Sequence, residues 1–466
     1  MPAAVKINFY RRAADALKDG NLRRSLAAVR GKFTSHRAAA VRQYNANGGD
    51  FEALRERGRQ IREESVRRMP ELLREFEKNA AAAGTSVLWA KDAAAARNLV
   101  VQIARRHNVR SVIKSKTMTG EEILLNGALE SASVETTETD LGEFIVQLNG
   151  ETPSHIIAPA MHLRREEAAA ILGKAAPCPD DSIPALARAA RAVLREKFLA
   201  ADMGISGANF LAADSGASVI VTNEGNGRMT ATLPRVHLTL AGIDKIIARR
   251  RDIPDMLALL TRSATGQRIS NYVGITAGRA PGEGGPRHVY VVLLDNGRAA
   301  LRDGDCRDML RCIRCGACMN HCPVYHTIGG HAYGAAYMGP MGQVLVPAMG
   351  LESASELPHA ATMCGACEVV CPVKIPLPGL MRRLRRRQFS SRSWRARMFL
   401  QLWLFAARRP AVYAMCAAAL CRFLALCGGN ARRIKTLPFT GEWFRGRDLA
   451  APAGRTFRAM QRRRKT

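Results

Sequence analysis

The chain has 466 residues, which is too long for one average domain and predicts two to four domains. Hydrophobic residues make up 47% of it and charged residues 24%, a composition that excludes global disorder. The formal net charge is +30, and residues 381–466 supply +20 of it, from 22 Lys and Arg against two acids.

The N-terminal segment predicts a helical arm. It has no apolar stretch followed by a small-residue cleavage site, so we expect no secretory signal and a cytoplasmic chain. Apolar residues then recur at helical spacing among Arg and Glu, and the pattern stops at Gly84. Residues 1–84 are therefore expected to be helices that pack on the next domain.

Residues 85–300 alternate short β-rich runs with helical runs. Strands are predicted over SVLWA, SVIKS, a run entered through SVETTETD, HIIAPA at 155–160, NFLAAD, ASVIVTNEG, RVHLTLAG and HVYVVLLD. Helices are predicted over DAAAARNLVVQIARRHN, TGEEILLNGALESA, 166–173 and 182–204. This alternation predicts a three-layer α/β domain with a mainly parallel sheet.

A ligand site is predicted where polar and glycine residues follow the strand ASVIV, because α/β sheets bind ligands at the carboxyl ends of strands. Arg228 could hold a carboxylate through two hydrogen bonds, and Lys116 in SKTMTGEE could add positive charge. A well-capped turn without a ligand is the alternative. The candidate residues of the turn are Asn223, Glu224, Asn226 and Arg228.

Residues 301–380 contain two cysteine motifs. The first has the C-x2-C-x2-C-x3-C-P spacing of bacterial two-cluster ferredoxins, in which the fourth cysteine ligates the other cluster. Its residues are Cys312, Cys315, Cys318, Cys322 and Pro323. The second motif repeats the pattern without its first cysteine, which Ala361 replaces, and its residues are Cys364, Cys367, Cys371 and Pro372.

Crossover between the motifs predicts two [4Fe–4S] clusters with unequal ligand sets. Cluster 1 takes four cysteines, namely Cys312, Cys315, Cys318 and Cys371. Cluster 2 takes three, namely Cys322, Cys364 and Cys367. The fourth iron of cluster 2 is either absent, giving [3Fe–4S], or held by solvent, His359 or Cys306. Structural zinc is disfavoured because the C-P signature occurs twice.

Residues 381–466 form a basic region with two apolar runs, MFLQLWLFAA and AVYAMCAAALCRFLALC. Arg408, Arg409 and Pro410 separate them, and the second run has 17 residues with Arg422 inside it, short of the roughly 20 clean apolar residues of a membrane span. A helical hairpin is expected, packed on the body or lying at a membrane surface. The positive charge of this region suits binding to an acidic partner or to the cytoplasmic face of the inner membrane. Because the sequence has no nucleic-acid-binding motif, no nucleic acid partner is expected.

The sequence resembles the lactate utilization protein B family over nearly its whole length. SKTMTGEEILLNGALE, TDLGEFIVQL, PSHIIAPAMH and GISGANFLAADSGASVIVTNEGNGRM resemble the family's LUD domain. CIRCGACMNHCPVY, IGGHAYGAAYMGPMGQVLVPAMG and CGACEVVCPVKIPLPGL resemble its helical ferredoxin segment, and RDLAAPAGRTFR its C-terminal region. The family also has three cysteines in the second motif. Where relatives read Ala-Glu-Thr-Gly, this chain has Asp214 and Ser215, which adds Asp214 to the candidate site.

The resemblance implies a LUD fold similar to sugar-phosphate isomerases and CoA-transferases, at 85–300, between the arm and a ferredoxin segment at 301–380. It implies an iron–sulfur subunit of a complex that oxidises L-lactate to pyruvate, with two partner subunits, one rich in cysteine motifs and one a small LUD protein. No flavin or nicotinamide fingerprint is present, so the two-electron step is expected in a partner. An independent LUD enzyme acting on a small carboxylate or sugar phosphate and a redox-sensing binding protein are the alternatives.

Overall fold

The computed structural model describes residues 7–178, 180–279, 284–350, 354–389, 393–437, 444 and 447–464. It divides into two compact units, Met1–Arg386 and Arg387–Thr466. The first unit contains the N-terminal helices, the α/β domain and the cysteine motifs. The second contains nearly all of the basic C-terminal region.

Five helices precede the first strand, as the sequence predicts. Asp50 caps the fourth helix, because its carboxylate accepts the backbone N–H groups of Glu52 and Ala53. Gly84 follows the fifth helix at φ +86°, a conformation that ends a helix readily in glycine. The helices are α1 (Phe9–Lys18), α2 (Gly20–Val29), α3 (Lys32–Ala46), α4 (Phe51–Arg67) and α5 (Met69–Ala82).

A six-stranded parallel sheet forms the centre of the α/β domain. Its strands are β1 (Thr85–Ala90), β2 (Ser111–Lys114), β3 (Glu135–Glu138), β4 (Met203–Ser206), β7 (Val236–Gly242) and β10 (His288–Leu294). They lie in the order β1-β10-β7-β4-β2-β3, and every pairing is parallel. All six strands therefore end at the same edge of the sheet.

Helices cover both faces of this sheet, which confirms the three-layer α/β prediction. Neighbouring residues of β2 point to opposite faces, so Val112 packs in one apolar cluster and Ile113 in the other. The first face carries α6 (Ala93–Arg106), α7 (Met118–Glu122) and α8 (Leu125–Glu130). The second carries α9 (Leu141–Leu148), α10 (Arg165–Leu172) and α11 (Ile183–Ala200).

A smaller sheet adjoins the second face. Its strands are β5 (Phe210–Ala212), β6 (Ala217–Thr222), β8 (Ile246–Ile247) and β9 (Tyr272–Thr276), in the order β8-β5-β6-β9. The predicted ligand turn follows β6, which is antiparallel to both of its neighbours. Two helices complete this part, α12 (Asn226–Thr232) and α13 (Ile253–Ala264).

Several sequence predictions of local structure are wrong. The strand β3 lies within SVETTETD, and the run that follows it is α9 rather than a strand. The helix predicted over TGEEILLNGALESA is divided into α7 and α8 at Leu124, whose φ is +54°. The strand predicted over 155–160 is absent, because the buried His155 ring accepts the N–H groups of Ile157 and Ala158 at 3.0 Å each and bends the chain. The helix predicted over 182–204 stops at Ala200, and its last predicted residues belong to β4. There the Asp202 carboxylate accepts the Arg110 N–H at 2.8 Å, which ties the start of β4 to β2.

The cysteine segment consists of short helices that share one core with the arm and the second face of the sheet. Phe76 of α5, Leu259 of α13 and Leu345 all belong to this core. The helices are α14 (Arg298–Asp303), α15 (Ala317–Asn320), α16 (Tyr325–Ile328), α17 (Gly339–Ala348), α18 (Ala366–Val369) and α19 (Leu377–Arg387). Arm, α/β domain and cysteine segment therefore depend on one another for burial.

The C-terminal unit forms the predicted helical hairpin. Its elements are α20 (Trp394–Ala407), α21 (Pro410–Cys427), the antiparallel pair β11 (Arg433–Ile434) and β12 (Leu449–Ala450), and α22 (Phe457–Arg464). Neither α20 nor α21 has a buried residue. Within the described chain, α21 alone is long and apolar enough to cross a membrane by length and composition.

Candidate functional site

The two cysteine motifs fold into the same local conformation. Arg314 and Met363 have left-handed backbone, with φ of +58° and +60°. Two residues later Gly316 and Gly365, at φ +74° and +84°, each begin a short helix. Successive backbone N–H groups in such a turn point to one side and bind negative charge. Both motifs therefore have the backbone of a loop that binds an anionic group.

The first thiol group comprises Cys312, Cys315, Cys318 and Cys371, the residues predicted for cluster 1. Burial raises the pKa of the Cys315 thiol, and the nearby Cys371 and Cys312 raise it further. Burial likewise raises the pKa of Cys318, with Cys312, Cys315 and Cys371 adding to the shift and Cys367 of the second motif contributing least. The thiol of the second motif thus lies among the three thiols of the first.

The second thiol group comprises Cys322, Cys364 and Cys367, the residues predicted for cluster 2. Burial raises the pKa of Cys367 to about 12, and Cys322 and Cys364 contribute to the rise. All three line one small cavity together with Ala361 and His321. His359 and Cys306, the two side chains considered as a fourth ligand, are not among the residues that line it.

The thiol groups fit iron–sulfur clusters better than single metal ions. Within the described ranges, no three His, Cys, Asp or Glu side chains converge on a point where one ion would bind. Structural zinc requires such tetrahedral convergence. A cubane binds each thiolate at a different iron, so its cysteines are spread apart, and the irons deprotonate thiols that burial keeps protonated.

Arginines of the N-terminal helices hold the loops that carry the first thiol group. Arg55 on α4 donates to the Cys371 carbonyl oxygen from Nε at 3.2 Å and Nη2 at 2.8 Å. Arg37 on α3 donates to the Val370 carbonyl at 3.1 Å, and the fully buried Arg62 donates to the Leu310 carbonyl at 2.8 Å. Sequence analysis missed these residues, because nothing in the helical pattern of the arm indicates which carbonyls its arginines meet.

A buried charge network joins the α/β domain to the first thiol group. Asp244, two residues after the end of β7, accepts hydrogen bonds from Arg298 Nε at 2.6 Å and Arg314 Nη2 at 3.0 Å. Arg298 also pairs with Glu122 at 2.5 Å. Burial raises the pKa of Asp244, but Arg298 and Arg314 outweigh it and hold that pKa well below its usual range. The Arg314 backbone N–H donates to Cys312 Sγ at 3.4 Å, which brings the network to the thiols.

A cavity of about 260 Å³ lies at the carboxyl edge of the parallel sheet, where α/β domains bind ligands. We call it the edge cavity. Residues following four strands line it, namely Lys116, Asp140, Asn209 and Lys245. The turn after β6 contributes Asn223, Glu224 and Asn226, the loop between α9 and α10 contributes Ile157, and the first cysteine motif contributes Arg314.

One lysine ammonium group of a residue that lines the edge cavity, Lys116, has no hydrogen-bond partner in the part of the chain that the structure describes. Lys116 Nζ is buried, and its nearest carboxylate oxygen belongs to Glu143 at 3.9 Å. Lys245 forms no ion pair among the described residues, and burial, followed by the charge of Arg314, lowers its pKa to about 7. The charge of Lys116 is therefore balanced by the buried Glu143 at ion-pair distance, without a direct hydrogen bond.

Four of the six predicted ligand-site residues line the edge cavity: Lys116, Asn223, Glu224 and Asn226. The other two lie outside it. The Asp214 carboxylate accepts the Arg250 N–H at 3.0 and 3.1 Å, and Arg228 is exposed on α12. Lys245 and Arg314 were missed; the position of Lys245 three residues after the strand RVHLTLAG is the signal that could have found it.

The edge cavity and the first thiol group share a wall. A Cβ atom at Gly316, between Cys315 and Cys318, would lie 3.1 Å from Cγ1 of Ile157, which lines the cavity. Arg314 also lines the cavity, while its backbone contacts Cys312. A ligand in the cavity would therefore lie beside the first cysteine loop.

Family comparisons agree with this architecture. A model of the LUD domain matches residues 73–294, and one of a 4Fe-4S dicluster domain matches residues 308–375. Lactate utilization protein B of Bacillus licheniformis is 38% identical over 82% of this chain and 81% of its own, and that of Macrococcus caseolyticus is 42% identical over 72% of each. The chain belongs to the lactate utilization protein B family.

This membership confirms the resemblance seen in the sequence and the presence of an iron–sulfur segment. The chain is also similar to the uncharacterized electron transport protein YkgF of Escherichia coli, at 35% identity over 97% of this chain and 96% of that protein. A crystal structure of a DUF162 family protein from Deinococcus radiodurans matches 48% of this chain and 98% of its own at 13% identity. Its TM-score of 0.27 is too low to support a structural comparison.

Proposed function

We propose that this family member is the iron–sulfur electron-transfer subunit of a complex that oxidises L-lactate to pyruvate. The observation that supports the proposal is the exchange of cysteines between the two motifs, since Cys322 lines one cavity with Cys364 and Cys367, whereas Cys371 interacts with Cys312 and Cys315. This arrangement is typical of two-cluster ferredoxins, whose clusters carry single electrons. The names of the relatives supply lactate utilization and electron transport.

Two [4Fe–4S] clusters are part of this proposal, the first on four cysteines and the second on three. Ala361 provides no ligand at the position of the missing cysteine. Because Cys364 is exposed, solvent reaches the second thiol group, and we assign the fourth iron of that cluster to solvent. Loss of that iron leaves [3Fe–4S].

The oxidation itself is assigned to a partner. Lactate loses two electrons and a cubane accepts one, while this sequence has no flavin or nicotinamide fingerprint. We therefore propose two partner subunits, one rich in cysteine motifs and one a small LUD protein, between which this chain relays electrons toward the respiratory chain.

Reduction by L-lactate tests this role. The protein, purified anaerobically together with its native neighbours, is expected to lose visible cluster absorbance when L-lactate is added, and to keep it with D-lactate. The isolated chain should respond to neither, because the two-electron step lies elsewhere. Bleaching of the isolated chain by L-lactate would instead establish an independent enzyme, and no bleaching of the complex would refute the proposal.

We also propose that the C-terminal unit attaches the protein to the cytoplasmic face of the inner membrane. A helix that is apolar on all sides is normally buried, yet Phe399, Trp403 and Leu426 are exposed on α20 and α21. Basic residues surround the hairpin, and each Lys or Arg near an anionic surface contributes about 1 kcal/mol to binding. An anionic bilayer satisfies both features.

Truncation tests this attachment. Residues 1–388 retain α19, whose Leu384 is buried, and every cluster cysteine, so this variant is expected to keep its iron. It should lose co-sedimentation with anionic vesicles, while the full chain binds them and is released as salt screens charges over roughly 8–10 Å. Neutral vesicles are the control. Equal binding by both forms would make the unit a solvated basic extension.

A further inference from the structure

We propose that the N-terminal helical arm tunes the redox potential of the first cluster, because α3 and α4 place the guanidinium groups of Arg37 and Arg62 beside the loops that carry it. This inference rests on the proposed function, since it concerns one cluster of the electron relay. It gives a role to residues 1–72, which lie outside the LUD and dicluster domain models. Both arginines are positioning residues that act on the cluster through charge and hydrogen bonds, and neither is a ligand.

Arg62 on α4 is a buried cation that forms no ion pair within the described part of the chain. Its side chain is 1% exposed, and its guanidinium donates to backbone carbonyl oxygens, among them those of Ile246 at 2.6 Å, Leu310 at 2.8 Å and Arg311 at 3.3 Å. Leu310 and Arg311 directly precede Cys312, a ligand of the first cluster. Burial lowers the pKa of Arg62 to about 10, so the group stays charged at neutral pH.

Arg37 on α3 has a buried donor without an acceptor. Its Nη2 donates to the Val370 carbonyl, next to Cys371, whereas its Nε is buried and has no hydrogen-bond partner among the described residues. Burial, followed by the charge of Arg55, lowers the pKa of Arg37, and the nearby Cys315 and Cys371 oppose this shift. The charge of Arg37 therefore reaches two thiols of the first group, and a thiolate or sulfide of the cluster is an acceptor that suits Nε.

The positive charge of the arm is directed at the first thiol group alone. The carboxylate of Asp244, whose charge also reaches Arg62, is already bonded to two other arginines. Arg37 has no ion pair in the ranges that the structure describes. The cavity of the second thiol group contrasts with this arrangement, because no Lys, Arg, Asp or Glu stands among the described residues that line it.

Positive charge in this position favours the reduced form of the first cluster. Reduction adds one electron, and hence one negative charge, to a cubane that four thiolates already make anionic, while no bond forms or breaks. The net charge near a cluster and the hydrogen bonds to its sulfurs both set its potential. Because buried charges are weakly screened, the loss of either guanidinium should make the first cluster harder to reduce and leave the second unchanged.

A redox titration of the isolated, cluster-loaded chain with dithionite, followed by EPR, tests this role. Brief exposure to air converts the second cluster to [3Fe–4S], so the first cluster is followed by the signal that appears on reduction and the second by the signal that disappears. Arg37→Gln and Arg62→Met should each favour the oxidised first cluster by about tenfold, a shift of about 59 mV to more negative potential. Arg42→Gln, which changes an exposed arginine of the same helix α3, is the matched control and should leave both potentials unchanged.

Arg37→Lys separates charge from packing. It keeps the positive charge and should restore most of the native potential, whereas a purely structural role predicts the same loss as in Arg37→Gln; this pair decides the question even if Arg62→Met folds poorly. An unchanged first-cluster potential in Arg37→Gln, or an equal shift of both clusters, would overturn the inference. If the potentials are unchanged but L-lactate still reduces the clusters of the complex, the inference fails and the proposed function stands. A selective shift in a chain whose complex L-lactate does not reduce would have the opposite meaning.

Discussion

Replacing Cys364 with Ala is expected to lower the iron content from about eight atoms per chain to about four. The second thiol group has only three cysteines, so the loss of one leaves two ligands, too few to retain a cluster. Brief exposure of the native protein to air should produce the EPR signal of an oxidised [3Fe–4S] cluster, from the site whose fourth iron lacks a cysteine. Cys364→Ala should abolish that signal and keep the first cluster.

Cys371→Ala provides the contrast. Although Cys371 lies in the second motif, its thiol belongs to the first group, so its loss should damage the first cluster and leave the air-induced signal in place. Cys178→Ala, outside both groups, is the control and should keep all of the iron. An air-induced signal that survives Cys364→Ala and disappears in Cys371→Ala would mean that the pairing of cysteines is the reverse.

Asp244→Ala is expected to destabilise the first unit by about 3–5 kcal/mol, because it leaves Arg298 and Arg314 buried with fewer negative partners. A lower unfolding temperature of the anaerobic, cluster-loaded protein would show this. Asp214→Ala is the matched control. The Asp214 carboxylate is 34% exposed, accepts the backbone N–H of Arg250 and lies 3.9 Å from the Arg250 side chain, so a much smaller loss of stability is expected.

The charge network also predicts how the stability difference between native protein and Asp244→Ala depends on pH. Asp244 has a depressed pKa in the folded protein, so its contribution is complete above the unfolded value of about 3.9 and is lost only as pH falls toward the folded value. The difference in stability between native protein and Asp244→Ala should therefore not decrease between pH 8 and about pH 5. A difference that already vanishes between pH 7 and pH 6 would contradict the charge network.

The cysteine groups could be predicted from sequence because ferredoxin spacing encodes both the loop and the crossover. Gly316 and Gly365 stand where the loops need left-handed backbone, so local sequence and local structure agree there. The strand predicted over 155–160 failed because apolar residues alone do not show that a histidine ring will take two backbone N–H groups. Such local competition depends on one side chain rather than on a periodic pattern.

The edge cavity could be predicted only in part. Asn223 and Glu224 follow a strand, and strand ends are where α/β domains bind ligands. Asp214 and Arg228 are equally close to strands in the sequence. However, the Asp214 carboxylate accepts the backbone N–H of Arg250, and Arg228 lies on an exposed face of α12. Lys245 and Arg314 are 69 residues apart in the sequence, and only tertiary packing brings them to the same cavity.

The placement of α4 has a consequence for how the protein is made. Domains usually fold from the N-terminus onward during synthesis. Here Arg55 meets its partners, the carbonyls of Val369 and Cys371, more than 300 residues later, so the docking of this early helix is complete only after the second motif has been translated. Until then the nascent first unit exposes apolar surface and an open set of thiols. Cluster insertion must therefore follow translation of both motifs, and this interval is when the chain is most exposed to aggregation and oxidation.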